Sequence, residues 1–271
     1  MTDPANFFLY RNAWRFAGPP HKEPKLLPQQ CNDLLKHGGL MVRNVYDFDF
    51  QTETCFWNVI KDQFGGFDEL SGNTRRKVRR ALEHCEYKII TADMLRQSGY
   101  AILKAAYDDY QVKDRTLSES VFQKSVDEFE QYNYEYWGVF DRATGSLVGF
   151  SANHVWDEAC EYSLIGIRPE CKRKSSAYPY YGLFYTMNQY YLQQKGLRYV
   201  TDGSRSITEH SNIQPFLEEK FHFRKAYCRL AVHYRWWMKA VVRVLYPFRG
   251  MITLPRVRAV LNMEAMRRGE K

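Results

Sequence analysis

The sequence predicts an α/β chain in which a mixed, mostly antiparallel sheet is flanked by helices and followed by a basic helical tail. Three observations carry that expectation. Between residues 70 and 234, segments of helical period alternate with short β-branched and aromatic runs. Two of those runs, 136–140 and 147–152, flank the polar turn Asp141-Arg142-Ala143-Thr144-Gly145-Ser146, which has hairpin chemistry. The positive charge sits at one end: from Arg224 onward twelve Lys/Arg face only Glu264 and Glu270, a balance of +10, so a net +8 leaves the first 223 residues at −2.

Taken in order, residues 1–69 read as an N-terminal extension of irregular chain. Gly18, Pro19, Pro20, Pro24 and Pro28 punctuate it, with one strand near 40–46. Ser71 or Asn73 caps a helix over 74–82 that sets Arg75, Arg76, Arg79 and Arg80 on one face. A strand at 87–91 precedes helices at 94–110 and 118–132, and the hairpin is followed by a third strand, 161–168, ended by Pro169. Pro179 suits the first turn of the next helix and Gly196 its C-terminal stop. Between them Tyr180, Phe184, Met187 and Tyr191 form an apolar stripe that predicts core. A strand at 197–201, a short helix at 211–220 and a closing strand at 226–234 complete a domain spanning 70–234, and 235–271 form the basic amphipathic tail.

With 45% hydrophobic and 16% aromatic residues, the chain can bury a core, which excludes general disorder. Six cysteines without a CxxC pair predict reduced thiols and a cytoplasmic protein. No 18-residue apolar run or leader-like start is seen. No metal is expected, since the histidines lack i, i+4 ligand pairs and no Cys/His cluster has zinc spacing. The absence of GxSxG and Walker patterns disfavours serine hydrolases and P-loop NTPases.

Chemistry is expected in segment 159–203, where a basic turn feeds a helix beside two strand ends. Lys172, Arg173, Lys174, Ser175, Ser176 and Ala177 precede that helix, so its unpaired N–H groups and local positive charge suit phosphates. Three side chains compete as a proton acceptor. Asp202 closes a strand where α/β sheets present ligand groups, and it is ranked first. Glu161, opening the third strand, is second. His154 alternates with Phe150 and Ala152, a pattern that also suits a packed core histidine. The arginines at 75–80 form a cationic face that either meets water or an acidic ligand.

The element order resembles the GNAT superfamily of N-acyltransferases, and Leu70-Ser71 with Arg76-x-x-Arg79-Arg80-Ala81 is similar to a motif of its FemAB-like branch. The likeness covers about 70–234 and implies a GNAT-like sheet. It further implies transfer of an acyl group from an acyl-CoA to a primary amine, with the main-chain amides of 161–167 assisting the carbonyl. In the Fem branch the donor is instead an aminoacyl-tRNA and the acceptor a cell-envelope precursor; a non-catalytic GNAT-like binding module is the third reading. The family's pyrophosphate loop, Gln/Arg-x-x-Gly-x-Gly/Ala, falls on residues 172–177, with Lys172 for Gln/Arg and Ser175 for the first Gly. Its late helix falls on 211–223 and puts Glu218 where the general-acid Tyr usually stands.

In the tail, Arg235, Lys239 and Arg243 recur at i, i+4 among Trp236, Trp237, Met238 and aliphatic residues, until Pro247. A segment with that composition either packs on the domain or lies on an anionic membrane surface, which would make the protein peripheral at the inner face of a membrane.

Overall fold

A computed structural model of the chain describes residues 6–109, 118–173, 177–207 and 213–270. Two compact units emerge, Met1–Val59 with Ser204–Ser211 and Lys225–Lys271, and Ile60–Gly203 with Asn212–Arg224.

In the first unit the stretch expected to be irregular is largely structured. Strands β1 (Phe7–Tyr10) and β2 (Ala13–Phe16) form an antiparallel hairpin whose two turn residues, Arg11 and Asn12, both have positive φ. That conformation matches the twist of the paired strands, which is why a two-residue loop suffices. Helix α1 (Pro28–Lys36) begins at Pro28, a residue that reads as loop punctuation but here takes the first helical position, where a missing N–H is harmless. Leu34, Leu35 and Cys31 pack with Phe7 and Val42 of β3 (Met41–Tyr46). β3 lies parallel to β2 and antiparallel to β10 (Arg224–Tyr234), giving the order β1-β2-β3-β10, next to which comes β4 (Phe56–Lys61).

The tail belongs to this unit. Helix α8 (Trp236–Leu245), a 3-10 turn at Tyr246–Met251 and α9 (Pro255–Arg267) contribute Val242, Tyr246, Leu261 and Met263 to one cluster with Met41 and Tyr234. Glu264, almost wholly buried, accepts from Arg267, Arg268 and the Tyr234 hydroxyl. The charge is thereby answered on both oxygens, the condition under which burial of a carboxylate is tolerable.

The second unit carries the strand order β9-β8-β7-β6-β5. Ser71 caps α2 (Gly72–His84), its Oγ accepting from Thr74 N at 3.3 Å. Strand β5 (Cys85–Ile90) leads to α3 (Ala92–Asp108) and α4 (Glu119–Glu130), capped by Thr91 and Ser118. The hairpin of β6 (Tyr134–Asp141) and β7 (Leu147–Val155) turns as expected: Asp141 Oδ1 accepts from the amides of Ala143 and Thr144, and Gly145 adopts φ +68°. β8 (Ala159–Ile167) follows antiparallel to β7.

Both faces of this sheet are covered. Leu95, Ile102, Leu103 and Phe122 from α3 and α4 pack on Phe150 and Ala152. On the other face, the stripe of α6 (Pro179–Asn188) and its π-helical continuation, Gln189–Gln194, buries Phe184, Met187 and Tyr191 completely, with Tyr180 partly buried. Trp137 Nε1 and Asn153 Nδ2 both donate to the Tyr191 hydroxyl there. Gly196, at φ +66°, ends the segment. Strand β9 (Tyr199–Ser204) and α7 (Ile213–Phe221) close the unit. A short helix, α5 (Pro169–Arg173), occupies part of the expected basic loop.

Candidate functional site

The parallel strands β8 and β9 are neighbours only briefly. Their register joins Ala159, Cys160 and Glu161 to Tyr199, Val200 and Thr201, and among the described residues no pair follows, although β8 continues to Ile167. One cause is visible on the opposite edge of β8. The β7–β8 ladder shifts register where Ala152 opposes Leu164 and Asn153 opposes Tyr162, so Ser163 is an extra residue. Such a bulge increases local twist and turns the strand away from its neighbour. The sheet therefore opens into a wedge, with Glu161 and Thr201 at its apex.

Two carboxylates stand at this apex. By alternation, Glu161 is on the face of β8 that carries α3 and α4, while Tyr162 and Asp202 are on the face covered by α6. Glu161 also reaches the chain just after Asp202: Gly203 adopts φ +81°, and a Cβ at this position would stand 3.1 Å from Glu161 Oε1. Thr201 Oγ1 fixes the turn by accepting from Gly203 N at 2.9 Å.

Asp202 retains some accessible surface but is ringed by protein. Burial pushes its carboxyl up from the ordinary 3.8 to about 7; the Glu161 charge adds to the rise, and a hydrogen bond from Gln214 opposes it. A carboxyl with that value exchanges its proton near neutrality. Tyr162 is the neighbouring buried phenol, donating to Asn188 Oδ1 at 2.8 Å, and burial together with the Cys160 and Asp202 charges raises its pKa well out of the physiological range. The Asn188 Nδ2 donor, fully buried, has no partner among the described residues.

His154 lies cross-strand from Glu161, so the register brings it to the same edge of the site. Its ring stacks on Tyr134, with centroids 4.8 Å apart and planes at 13°, and lies 4.4 Å from that of Trp156. Burial alone holds its pKa down to about 4, so the imidazole is neutral at physiological pH. Its surroundings are aromatic rather than polar.

Of the basic segment, Lys172 and Arg173 fall at the end of α5, Lys174, Ser175 and Ser176 lie outside the described residues, and Ala177 is buried ahead of α6. Tyr178 caps α6 in the left-handed conformation, after which Pro179 sets the first turn. The arginine face of α2 is a second electropositive feature: Gly72, Arg75, Arg76, Arg79, Arg80 and Glu83 line a shallow groove. Arg79 stacks over Phe67, and Arg76 bonds Asn73, which preorganises part of that face. Among the described residues, no group of three or more His, Cys, Asp or Glu side chains is arranged to hold a metal.

Gln214, Tyr162 and Asn188 are absent from the residues singled out by sequence. Asn188 did carry a signal, since it is a polar side chain one residue after Met187 in an otherwise apolar helix face. Gln214 carried none, because its bond to Asp202 joins segments whose proximity follows only from the folded sheet.

No protein-family model and no curated protein matches this sequence. Solved structures do. FemX superposes with a TM-score of 0.54 at 10% identity, over 79% of this chain and 77% of FemX. The fold is GNAT-like, of the kind FemX has. The C-terminal DUF2156 domain assigned to a lysylphosphatidylglycerol synthetase of Agrobacterium fabrum gives 0.53 at 9% identity, over 88% of this chain and 82% of that domain. A tandem GNAT protein from the clavulanic acid biosynthesis pathway gives 0.45 at 11%, over 76% and 66%. The GNAT-like fold accounts for the mixed, mostly antiparallel sheet flanked by helices.

Proposed function

We propose that this chain is an acyltransferase that moves an acyl group from a thioester carrier, an acyl-CoA, to a primary amine. The observation that carries the reading is a carboxyl poised near neutrality, Asp202, at the apex of a wedge between two parallel strands. An amine arrives mostly as ammonium and must lose a proton before it can attack. Asp202 as carboxylate accepts that proton; burial, reinforced by the Glu161 charge, keeps its basicity high, and Gln214 orients it. The free amine then attacks the thioester carbon, the carbonyl electrons move onto oxygen, and main-chain N–H groups of 162–167 facing the wedge are the available donors for that charge. Collapse expels the thiolate, which takes the proton that the newly bonded nitrogen sheds, leaving an amide and a free thiol. His154, neutral and held in an aromatic stack, is assigned to packing rather than proton transfer.

Lys172, Arg173 and the start of α6 are assigned to the carrier's phosphates, because a helix N-terminus beside cations favours anions. A second reading has a specific observation behind it: the groove of Arg75, Arg76, Arg79 and Arg80 suits the phosphates of an aminoacyl-tRNA donor. One experiment separates them. Melting curves with acetyl-CoA, and separately with bulk tRNA, are expected to show a rise with the CoA thioester that Lys172→Glu plus Arg173→Glu abolishes. A rise with tRNA alone, abolished by Arg76→Glu plus Arg80→Glu, replaces the donor; no response to either removes the transferase reading.

A further inference from the structure

The sequence leaves open whether the tail helix packs on the protein or faces a membrane, and the structure gives each of its sides a different task. Met238, Val242 and Leu245 point into the cluster with Met41, Tyr234 and Leu261. Arg235, expected to continue a basic stripe with Lys239 and Arg243, is instead turned inward: its guanidinium donates to the main-chain oxygens of Gly39 and Leu35. Those contacts fix the helix, and they also fix what faces outward. Trp236 is 84% exposed and Val244 65%, with Trp237 and Val241 exposed between them on the same side of the helix. Phe248 and Met251, the latter 81% exposed, continue the apolar surface into the 3-10 turn.

An apolar outer face of this kind is unusual on water-exposed helices, whose outward side is ordinarily polar. Its borders on the two helices are cationic, and the acid beside the 3-10 turn, Glu270, is paired with Arg249 at 2.6 Å. Lys239 and Arg243 flank it on α8 and exposed Arg256 and Arg258 follow on α9, while no Asp or Glu occurs anywhere between Lys220 and Met263. We propose that this surface docks on the headgroup layer of an anionic bilayer, with Trp236, Val244 and Phe248 inserted among the acyl-chain ends and the cations against lipid phosphates. Tryptophan prefers that layer because its ring is apolar and its N–H polar, and several cations near an anionic surface reinforce one another. Ten helical residues span about 15 Å, so the helix lies in the interface rather than crossing it. Among the described residues no helix is long and apolar enough to cross.

The test is sedimentation of the full chain with vesicles of phosphatidylcholine alone or with one third phosphatidylglycerol, at low and high salt. The wild-type protein is expected to sediment with the anionic vesicles at low salt, to be released by salt, and to ignore the neutral ones. Trp236→Glu plus Val244→Glu, and separately Lys239→Glu plus Arg243→Glu, are each expected to reduce bound protein roughly tenfold or more with an unchanged melting temperature, since all four side chains face outward. Trp236→Ala plus Val244→Ser serves if the acidic pair lowers the melting temperature. Wild-type protein left in the supernatant with anionic vesicles overturns the proposal, as does sedimentation unaffected by either pair. A wild-type dimer in solution that Trp236→Glu plus Val244→Glu converts to monomer overturns it too, by assigning the face to a second copy.

Discussion

Each unit contains a carboxyl whose proton leaves only near pH 7, and the two differ in everything but that value. In the first unit Glu23 is raised from 4.5 to about 7 by burial, against the pull of its hydrogen bonds and of Arg43 and Arg15. Its Oε1 accepts from Val45 N at 2.7 Å and from Asn44 Nδ2 at 2.9 Å, and Asn44 in turn holds Leu26 N and Pro24 O. Every contact runs to the chain's own scaffold, tying the segment before α1 to β3. In the second unit Asp202 has one opposing hydrogen bond, from Gln214, and a like charge at its side. A raised pKa therefore does not mark chemistry by itself. What distinguishes Asp202 is the company of another acid and a strand edge left open beside it.

The sharpest break of this comparison is in turnover. Asp202→Asn is expected to lower kcat by roughly 10²- to 10⁴-fold, the usual contribution of a positioned base, while Glu23→Gln leaves the rate near that of the wild type. Steady-state rates with acyl-CoA and an amine acceptor read both, and equal losses in the two variants would erase the distinction.

Stability reverses the order. Glu23→Ala strands the Val45 amide and one Asn44 N–H, at a cost of about 1–3 kcal/mol, seen as a lower melting temperature. Asp202→Asn acts in the opposite direction above neutrality. Between its ordinary 3.8 and about 7 the folded chain holds a proton on Asp202 that the unfolded chain has lost, so folding stability declines as pH rises across that window. Removing the group removes its share of the decline, and the variant is expected to melt a few degrees higher than wild type at pH 8 but not at pH 4.

The smallest effect tests the pairing of the two acids. Glu161→Gln withdraws the like charge, so the Asp202 pKa falls and the acid limb of the kcat/KM profile moves to lower pH. An unmoved limb would mean that burial alone tunes Asp202.

Much of the second unit was legible in the sequence because its signals are local. The cap at Ser71, the Asp141–Gly145 turn and the stripe on α6 each declare themselves within a few residues. In the first unit the strands near 40–46 and at 226–234 were legible, but β1 and β2, each four residues long, were not, and the parallel and long-range pairing of β3 is encoded by no local period. The tail shows the same limit on a smaller scale: the i, i+4 spacing of Arg235, Lys239 and Arg243 was real, but capture of Arg235 by two carbonyl oxygens depends on the end of α1 and the glycine turn after it, some 200 residues earlier. At the site, Glu161 and Asp202 could be named from strand ends, while the open strand edge beside them depends on the Ser163 bulge and the turn after Asp202 on the positive φ of Gly203.

The early parting of β8 from β9 also sets a length. From Tyr162 to Ile167 the open edge runs six residues, about 20 Å at the ordinary strand rise, with the acidic apex at one end and the basic segment after Pro169 at the other. A linear molecule anchored by its charged end at the basic segment reaches Asp202 only if its uncharged arm is at least that long. In the proposed reading of the site, a shorter arm stops over apolar strand and a longer one must buckle, so the strand would work as a ruler that screens carriers by reach before any side chain has read their chemistry.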